Sequence, residues 1–258
     1  MQRLERHRAL ITLVDRQGDV TLEEACRAFD VSPATARRDF SEIAARGLAE
    51  KVWGGLRRKP GEPGNPAGGD IVPSELRETL HSAEKGRIAR AACALVRDGD
   101  VLIIDGGTTT LGMAAEMANR RVRILTNSLL VALQIDRLRT AGEGADVFLT
   151  GGQIYPGSGL LVGPQTVENI DGCHARWAFL SAGGLDGEGT TNTNQMVVEC
   201  ERAMIRRAEQ SVVLADSSKW GRRDMVRASR WSEIAMLITD AVPPHPLPAG
   251  LSVRVAAG

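Results

Sequence analysis

Residues 31–40, Val-Ser-Pro-Ala-Thr-Ala-Arg-Arg-Asp-Phe, decide the fold of the N-terminal part of this chain. Ser32 is a good N-cap, because its hydroxyl can accept a hydrogen bond from a backbone N–H of the first helical turn. Pro33 follows at the first helical position, where its missing N–H costs no hydrogen bond. Together these two residues predict that a helix begins here.

This helix has one apolar face and one face suited to DNA. At about 100° per residue, the residues predicted to share the buried face are Ala36, Phe40, Ile43 and Gly47. Arg38 points the opposite way, with Arg37 and Thr35 at its flank. A helix that enters the DNA major groove needs such a packed inner face and an outer face with arginines. The alternative is a surface helix with two solvated arginines, and the decapeptide alone does not decide between them.

The neighbouring sequence favours a winged helix over residues 1–58. An upstream helical stripe ends at Gly18 and consists of Leu4, Ala9, Leu10, Leu13 and Val14. Thr21 and Glu24 have the spacing of a capping box, so a second helix begins there, and residues 30–32 are a short turn before the third. Residues 48–53 read as a strand, Gly54-Gly55 as a turn and residues 56–58 as a returning strand.

The charge of this region supports DNA binding through its placement rather than its sum. The chain has 32 Lys and Arg against 32 Asp and Glu, and residues 1–59 hold 12 basic and 9 acidic side chains, which is only mildly basic. The predicted DNA-binding residues are Ser32, Thr35, Arg37, Arg38, Lys51, Arg57 and Arg58.

The composition and the spacing of residues limit the number of domains, the location and the kinds of site that are expected for the chain. With 258 residues and 43% hydrophobic residues, two domains are expected. The chain has no apolar run of 18 residues and no apolar N-terminal signal segment, so a cytoplasmic location is expected. The four cysteines are scattered and the four histidines isolated, so neither a metal site nor a cofactor is expected. Residues 59–73 are rich in Pro and Gly and predict a linker; the second domain is placed at 74–258.

The second domain alternates apolar strands with helical stretches, which predicts an α/β fold with a mostly parallel sheet. The predicted strands are 101–105, 122–126, 146–150, 177–181, 211–215 and 235–239, and the predicted helices are 74–97, 110–118, 129–138, 164–170 and 194–209. Ligands of such folds bind beyond the carboxyl ends of the strands.

Several of those strand ends are polar or glycine-rich, which favours one shared effector pocket. The first strand continues into Gly106-Gly107-Thr108-Thr109-Thr110 before a helix, a pattern suited to an anion, although strand–Gly–helix turns are also common as purely structural features. Lys219 supplies a positive charge, with a surface lysine as the alternative, and Asp216 is expected to cap its own loop. The predicted effector-binding residues are Asp105, Gly107, Thr108, Thr109, Thr110, Thr126, Asn127, Ser128, Gly152, Asp186 and Lys219.

These motifs together resemble the DeoR-type bacterial transcription regulators over about residues 5–240. The matching segments are 31–39, Gly54-Gly55, Lys85, 105–109, 126–128, Gly151-Gly152 and 216–219. The resemblance implies a winged helix-turn-helix joined to a sensor domain similar to ribose-5-phosphate isomerases and CoA transferases. It also implies a repressor of a carbohydrate-metabolism operon that releases DNA on binding a phosphorylated sugar or a related metabolite.

Three positions depart from the family pattern. Ala36 and Phe40 replace an aliphatic pair, so that one side chain is smaller and the other larger within the same predicted core. Trp53 stands where the family commonly has a histidine before the paired glycines, which leaves open whether the wing reads bases.

The predicted partners are therefore double-stranded operator DNA, a phosphorylated small molecule and further copies of the chain, as a dimer or tetramer, with no membrane. The alternative function is a sugar-phosphate isomerase or transferase with an appended DNA-binding module. It would need a catalytic base, for which Asp105, Asp186 or Glu188 are candidates, but no carboxylate pair or His–carboxylate set stands out. A redox-sensing regulator is a third possibility. No catalytic residue is predicted.

Overall fold

The computed structural model describes residues 3–45, 48–57, 80–140 and 144–256, with the side chains at positions 4, 8, 12, 15 and 16 excepted. Predictions for the Leu4 side chain, Gly47, Arg58, the 59–73 linker and residues 74–79 of the predicted helix 74–97 thus lie outside the described residues. The chain divides into two compact units, one ending at Ser82 and one beginning at Ala83.

The N-terminal unit is a three-helix fold with a small sheet. Its helices are α1 (Arg3–Gln17), α2 (Leu22–Phe29) and α3 (Pro33–Ala45), and its strands are β1 (Asp19–Thr21), β2 (Glu50–Val52) and β3 (Gly55–Arg57). The predicted capping box of α2 is present, because Thr21 N–H donates to Glu24 Oε2 over 2.8 Å and Glu24 N–H donates to Thr21 Oγ1 over 3.2 Å. At α3, Ser32 Oγ accepts the N–H of Thr35 over 3.2 Å, which confirms the predicted cap.

The wing has three strands, whereas the sequence predicts two. The antiparallel order is β1-β3-β2, and β1 was missed because only Val20 of its three residues is buried. Gly55 explains the close pairing: a Cβ there would lie 2.5 Å from the carbonyl oxygen of Val20.

The second unit is an α/β domain built around a seven-stranded parallel sheet of order β15-β14-β12-β9-β4-β5-β6. These strands are β4 (Val101–Ile104), β5 (Arg123–Thr126), β6 (Asp146–Leu149), β9 (Ala175–Leu180), β12 (Ala208–Leu214), β14 (Met236–Thr239) and β15 (Ser252–Val255). The first six match the six predicted strands to within a few residues. β15 was missed because it is short and lies exposed at one edge.

Helices cover both faces of this sheet. They are α4 (Ser82–Cys93), α5 (Thr108–Leu111), α6 (Ala114–Met117), α7 (Leu129–Leu138), α8 (Pro164–Asp171) and α9 (Gln195–Arg207). Alternate residues of one strand enter different cores: Leu102 and Ile104 belong to one hydrophobic cluster and Ile103 to the other. The helix predicted over 110–118 is in fact two single turns, α5 and α6, and α4 ends at Cys93 instead of residue 97.

Two smaller sheets complete the domain. The hairpin of β7 (Gln153–Tyr155) and β8 (Leu160–Val162) is antiparallel. A three-stranded antiparallel sheet is formed by β10 (Gly184–Leu185), β11 (Gly189–Asn192) and β13 (Val226–Arg230). Within the described ranges, no helix is both long and apolar enough to cross a membrane.

Candidate functional site

Helix α3 presents two arginines outward from a well-packed base. Ala36, Phe40 and Ile43 are buried, as the periodicity predicts, while Arg37 and Arg38 are exposed. Because the apolar face is fixed in the core of the unit, the direction of the two guanidinium groups is set by the packing of the helix. The geometry is that of a helix whose outer face is available to a DNA groove.

A buried ionic cluster below α3 fixes its orientation against α1. Asp39 is buried, with its Oδ2 2.5 Å from Arg6 Nε and its Oδ1 3.1 Å from Arg6 Nη2. His7 Nε2 lies 2.9 Å from Asp39 Oδ1. Burial by itself would raise the pKa of Asp39, but hydrogen bonds from Arg6 and His7 outweigh it and lower that pKa. The cluster ties α3 to α1 through a charged group that is fully hydrogen-bonded.

The start of α3 and the wing add further polar groups to this surface. The hydroxyl oxygens of Ser32 and Thr35 lie 2.9 Å apart. Lys51 Nζ of β2 donates to Ser41 Oγ over 2.9 Å, and that hydroxyl donates to the carbonyl of Arg37 over 2.9 Å. The wing lysine is thus held against the helix that carries the arginines.

Two other predicted wing residues are exposed. Trp53, beside the Gly54 turn, is completely exposed, and Gly54 has a φ of +80°, which explains a glycine at this turn. Arg57 lies exposed in β3.

In the second unit, the loop after β4 is wedged between the ends of two neighbouring strands. A Cβ at Gly106 would overlap with Leu160 and lie 2.8 Å from Ser128 Cβ, and one at Gly107 would overlap with the side chain of Ser181. Only glycines fit this close approach. The carboxyl ends of β5 and β9 lie beside this loop because both strands pair with β4.

Asp105 holds one side of this loop. Its Oδ2 accepts hydrogen bonds from Ser181 Oγ over 2.5 Å and from Ser181 N–H over 3.2 Å, and its side chain is buried. Ser181 was not among the predicted site residues, although it ends a predicted strand. Its position there was the signal that could have identified it.

Two of the four predicted threonines donate their hydroxyls to backbone carbonyls of the protein. Thr110 Oγ1 donates to the carbonyl oxygens of Asp105 (2.6 Å) and Gly107 (2.8 Å), and Thr126 Oγ1 donates to that of Ile104 over 2.7 Å. Both side chains are completely buried, and their hydroxyls hold the backbone at the start of this loop and at the end of β4. Thr108 is half-buried and begins α5 at the loop, and Thr109 next to it is buried.

Asn127 and Ser128 lie beside the loop at the end of β5. Ser128 Oγ accepts the N–H of Val131 over 3.3 Å and so caps α7. Asn127 Nδ2 donates to the carbonyl of Leu161 over 3.1 Å, while its buried Oδ1 has no hydrogen-bond partner among the described residues. A buried acceptor without a donor is costly in a dry interior. It is therefore suited to a donor supplied by a ligand.

The remaining predicted effector residues lie at other strand ends. Gly152 has a φ of +133°, and a Cβ there would overlap with Thr166 Oγ1, so the glycine is explained by backbone geometry. Lys219 lies in the single 3-10 turn Ser217–Lys219 that follows β12. Asp216 caps this turn by accepting the N–H of Ser218 over 3.1 Å, as predicted.

Asp186 is held by a different set of groups. Its two oxygens accept from Arg227 Nη1 and Nη2, each over 2.8 Å, and Oδ1 also accepts the N–H groups of Glu188 and Gly189. Arg223 Nε lies 3.1 Å from Oδ2. The hydrogen bonds from Arg227 hold the pKa of Asp186 well below its usual range. These donors hold the carboxylate of Asp186 at the β10–β11 turn.

Glu201 is a buried acidic residue that the sequence reading missed. Its Oε1 accepts from Asn192 Nδ2 over 2.7 Å, whereas Oε2 is buried without a partner among the described residues. Burial, reinforced by the charge of Asp105, raises the pKa of Glu201 well above its ordinary value. The signal was available: Glu201 follows Val197 by one helical turn on the apolar stripe of α9.

Two of the four cysteines, Cys93 and Cys200, are buried, whereas Cys26 and Cys173 are partly exposed. The described part of the chain contains no group of three or more His, Cys, Asp or Glu side chains that could hold a metal ion. Cys93 and Cys200 are buried, and burial raises the pKa of each thiol to about 12. Such thiols are poorly reactive because the thiolate is the reactive form.

Comparison with known proteins agrees with this two-part organisation. The family model "DeoR-like helix-turn-helix domain" matches residues 6–59, and "DeoR C terminal sensor domain" matches residues 80–241. The "HTH-type transcriptional regulator UlaR" proteins of Shigella sonnei (strain Ss046) and Escherichia coli O1:K1 / APEC are each 34% identical to this chain over 245 residues. That alignment covers 93% of this chain and 91% of the relative. A ribose 5-phosphate isomerase A structure from Methanocaldococcus jannaschii aligns with a TM-score of 0.39 and 17% identity, over 54% of this chain and 55% of that one.

Proposed function

Because the chain belongs to the DeoR family of DNA-binding, helix-turn-helix transcriptional regulators, we propose that it represses a carbohydrate-metabolism operon under the control of a phosphorylated sugar or related metabolite. The observation that carries this proposal is the pair of exposed arginines on α3, whose opposite face is locked into the core. The matched sensor domain supports the second half of the proposal.

On the DNA side, Arg37 and Arg38 contact base edges and phosphates in the major groove. A bidentate contact from one of them to guanine contributes about 1–3 kcal/mol of discrimination. Ser32 and Thr35, whose hydroxyls lie together at the start of α3, fix the register through phosphate oxygens. Lys51, Arg57 and Arg58 of the wing region add contacts that do not depend on sequence.

On the sensor side, the effector occupies the carboxyl edge of the parallel sheet. The residues we assign to direct contact are Asp105, Gly107, Thr108, Thr109, Asn127, Ser128, Gly152 and Lys219. Thr110, Thr126 and Asp186 position the loops around them through the hydrogen bonds given above. Loop N–H groups and hydroxyls suit the oxygens of an ester phosphate, and Lys219 adds a positive charge.

We further propose that the sensor binds its ligand without converting it, that the protein acts in the bacterial cytoplasm where its DNA lies, and that it works as a homo-oligomer. A single helix-turn-helix reads one half-site, and a symmetric pair reads two half-sites about one helical turn apart. Effector binding must differ in strength between the DNA-competent and DNA-incompetent states for release to follow.

The DNA half of the proposal is tested by titrating promoter fragments from around the gene with the full chain and its Arg38→Ala variant. We expect a loss of roughly 5- to 150-fold in affinity, equivalent to about 1–3 kcal/mol. The control is Arg27→Ala, an exposed arginine of α2 paired with Glu23, which should bind as tightly as the wild type. Equal binding by Arg38→Ala would remove Arg38 from readout, and no binding to any fragment at low salt would end the proposal.

The sensor half is tested by thermal unfolding and by DNA release over a panel of sugar phosphates. A ligand at 100 times its dissociation constant stabilises the protein by about 2.7 kcal/mol. The Lys219→Met variant should need a higher concentration of the active compound. Incubation with ribose 5-phosphate distinguishes a sensor from an enzyme, because turnover would indicate an isomerase or transferase and binding without conversion a sensor. The absence of any thermal shift over the panel would contradict the sensor assignment.

A further inference from the structure

The open edge of the large sheet at β6 is unusually apolar. β6 is the last strand in the order of the sheet and pairs only with β5 among the described strands. Edge strands of natural proteins are usually protected by charges, prolines or bulges. Here Phe148 is 56% exposed and Leu149 is 41% exposed. On the adjacent helix α7, Leu133 and Leu138 are also about half exposed.

The hydrogen bonds of β6 show which backbone groups point to the open edge. Asp146 N–H donates to the carbonyl of Val122 over 2.9 Å, and Thr150 N–H donates to that of Thr126 over 3.0 Å. The even-numbered residues thus face β5. Because successive residues alternate in direction, Val147 and Leu149 present their N–H and C=O groups to the open edge.

This open segment is short and symmetric about Phe148. On one side, the N–H of Ala145 already donates to the carbonyl of Ala118 over 3.0 Å, and on the other that of Gly151 donates to Asn169 Oδ1 over 2.8 Å. Val147 and Leu149, on either side of Phe148, each present one N–H donor and one C=O acceptor to the open edge. A second copy of this segment in antiparallel orientation presents the same groups, so the two copies can form hydrogen bonds with each other. Val147 then pairs with Leu149 of the second copy, and Leu149 with Val147.

We propose that two sensor domains associate through antiparallel pairing of β6 with β6 of a second copy of this chain, with the two-fold axis at Phe148. The two Phe148 residues form the central, non-hydrogen-bonded pair, where aromatic side chains stabilise a sheet. The sheet continues through the axis, and the exposed leucines of α7 lie on helices next to the joint. Such an isologous contact closes on itself and gives a dimer.

The opposite edge of the same sheet provides the contrast that favours β6. Ser252 N–H donates to the carbonyl of Ala235 and Ala256 N–H to that of Thr239, so Val253 and Val255 face the open edge of β15. The centre of a corresponding pair would be Arg254 opposite Arg254. Like charges directly opposite each other destabilise a strand pair, so Arg254 disfavours self-pairing of β15. The corresponding central residue of β6 is Phe148, which is uncharged.

This inference rests on the proposed homo-oligomer and assigns its interface. The test is the mass of the full chain by light scattering coupled to size exclusion, for the wild type, Phe148→Asp and the control Val253→Asp on the other edge. We expect the wild type at two or more times the 27.7 kDa chain mass, Phe148→Asp at half the wild-type mass, and Val253→Asp at the wild-type mass. A melting curve verifies that each variant is folded.

A second variant tests the same central pair without introducing a charge. Opposed residues of a non-hydrogen-bonded pair have Cα atoms about 4.5 Å apart, within the range of about 4.4–6.8 Å that a disulfide spans. Phe148→Cys should therefore form a covalent dimer on mild oxidation, above the background of the wild type with its native cysteines. Arg254→Cys, the matched control at the other edge, should not.

The outcomes separate the interface from the function. An oligomeric wild type whose Phe148→Asp variant keeps its mass, or a Phe148→Cys variant that does not cross-link, overturns the β6 interface and leaves the regulator intact. A wild type that is monomeric at about 10 μM overturns both the interface and the homo-oligomer. A wild type that does not bind an operator or respond to an effector would contradict the proposed function but not the β6 interface, since neither property enters the mass measurement.

Discussion

Replacing Asp39 by Asn is expected to destabilise the DNA-binding unit while leaving the sensor domain unchanged. The side chain of Asp39 is 1% exposed and that of Arg6 10% exposed, and the two are joined by hydrogen bonds of 2.5 and 3.1 Å. The neutral amide removes the negative charge that is hydrogen-bonded to the buried guanidinium of Arg6. Removing one partner of a buried ion pair costs about 3–5 kcal/mol. We expect the lower end, about 3 kcal/mol, because one amide oxygen still accepts a hydrogen bond.

Hydrogen exchange of the full chain, resolved by peptide, measures this effect in the right place. A loss of about 3 kcal/mol increases the opening equilibrium of amides in α3 by roughly 150-fold, at 1.36 kcal/mol per factor of ten. The control is Glu23→Gln, since Glu23 is exposed and pairs with exposed Arg27 at 2.8 Å on α2. Such exposed pairs contribute about 0–1 kcal/mol. The amides of the sensor sheet should exchange at the same rate in all three proteins.

The same cluster predicts a dependence on pH. The pKa of Asp39 is lower in the folded protein than its ordinary value of 3.8. Its stabilisation is therefore present above about that pH and is lost as the pH falls through the lower, folded-state pKa. At neutral pH the DNA-binding unit of the wild type should be more stable than that of Asp39→Asn, and this difference should disappear as the pH falls below 3.8. Exchange in α3 of Asp39→Asn as slow as in the wild type, at neutral pH, would refute the reasoning.

Three further predictions concern the wing and the sensor. Lys51→Ala should weaken DNA binding by a similar factor for all sequences and reduce the slope of log affinity against log salt by about one; an unchanged slope places Lys51 away from phosphate. Gly107→Ala should lower the free energy of unfolding of the sensor domain by about 1–3 kcal/mol, because the new Cβ overlaps with Ser181. The control Gly187→Ala should not, because a Cβ there meets open space. Equal melting temperatures for the two variants would contradict the close packing of the loop. The pKa of Glu201 is raised in the folded protein, so the contribution of Glu201 to stability is complete below its ordinary pKa of 4.5 and falls as the pH rises towards the folded-state pKa. Thermal melts should therefore show that Glu201→Gln gains stability relative to the wild type between pH 5 and pH 8. A difference in stability that stays constant over this range would show that Glu201 does not titrate as proposed.

The local features of this protein could be predicted because their causes are local. The caps at Thr21 and Ser32, the buried face of α3 and the extent of α7 depend on residues within four positions of one another. Five of the six apolar strands were recognisable from their composition, since strands buried on both faces are continuous apolar runs. The sixth, β6, has the same apolar composition but lies largely exposed at the edge of the sheet. The loop after β4 was identified as a candidate site from its glycines and threonines alone.

The rest depended on contacts between distant residues. Asp39 meets Arg6 across 33 positions of the chain, and Asp105 meets Ser181 across 76. Strand β1 is defined by its pairing with β3, and β15 by its pairing with β14, rather than by any pattern of their own. Such pairings have no signal in a single sequence, because hydrogen bonds between strands join backbone groups that every residue has.

The amino-acid sequence by itself determined that the chain carries a winged helix-turn-helix and a parallel α/β domain, because periodicity and capping act over one or two turns. Only the tertiary structure decided which polar side chains are occupied by the fold, such as Thr110 and Asp186, and which buried oxygens lack a described partner, as in Asn127 and Glu201. The physical reason is that the hydrogen-bonding capacity of a side chain is known from its type, whereas its partners are known only from the residues that folding brings within about 3 Å.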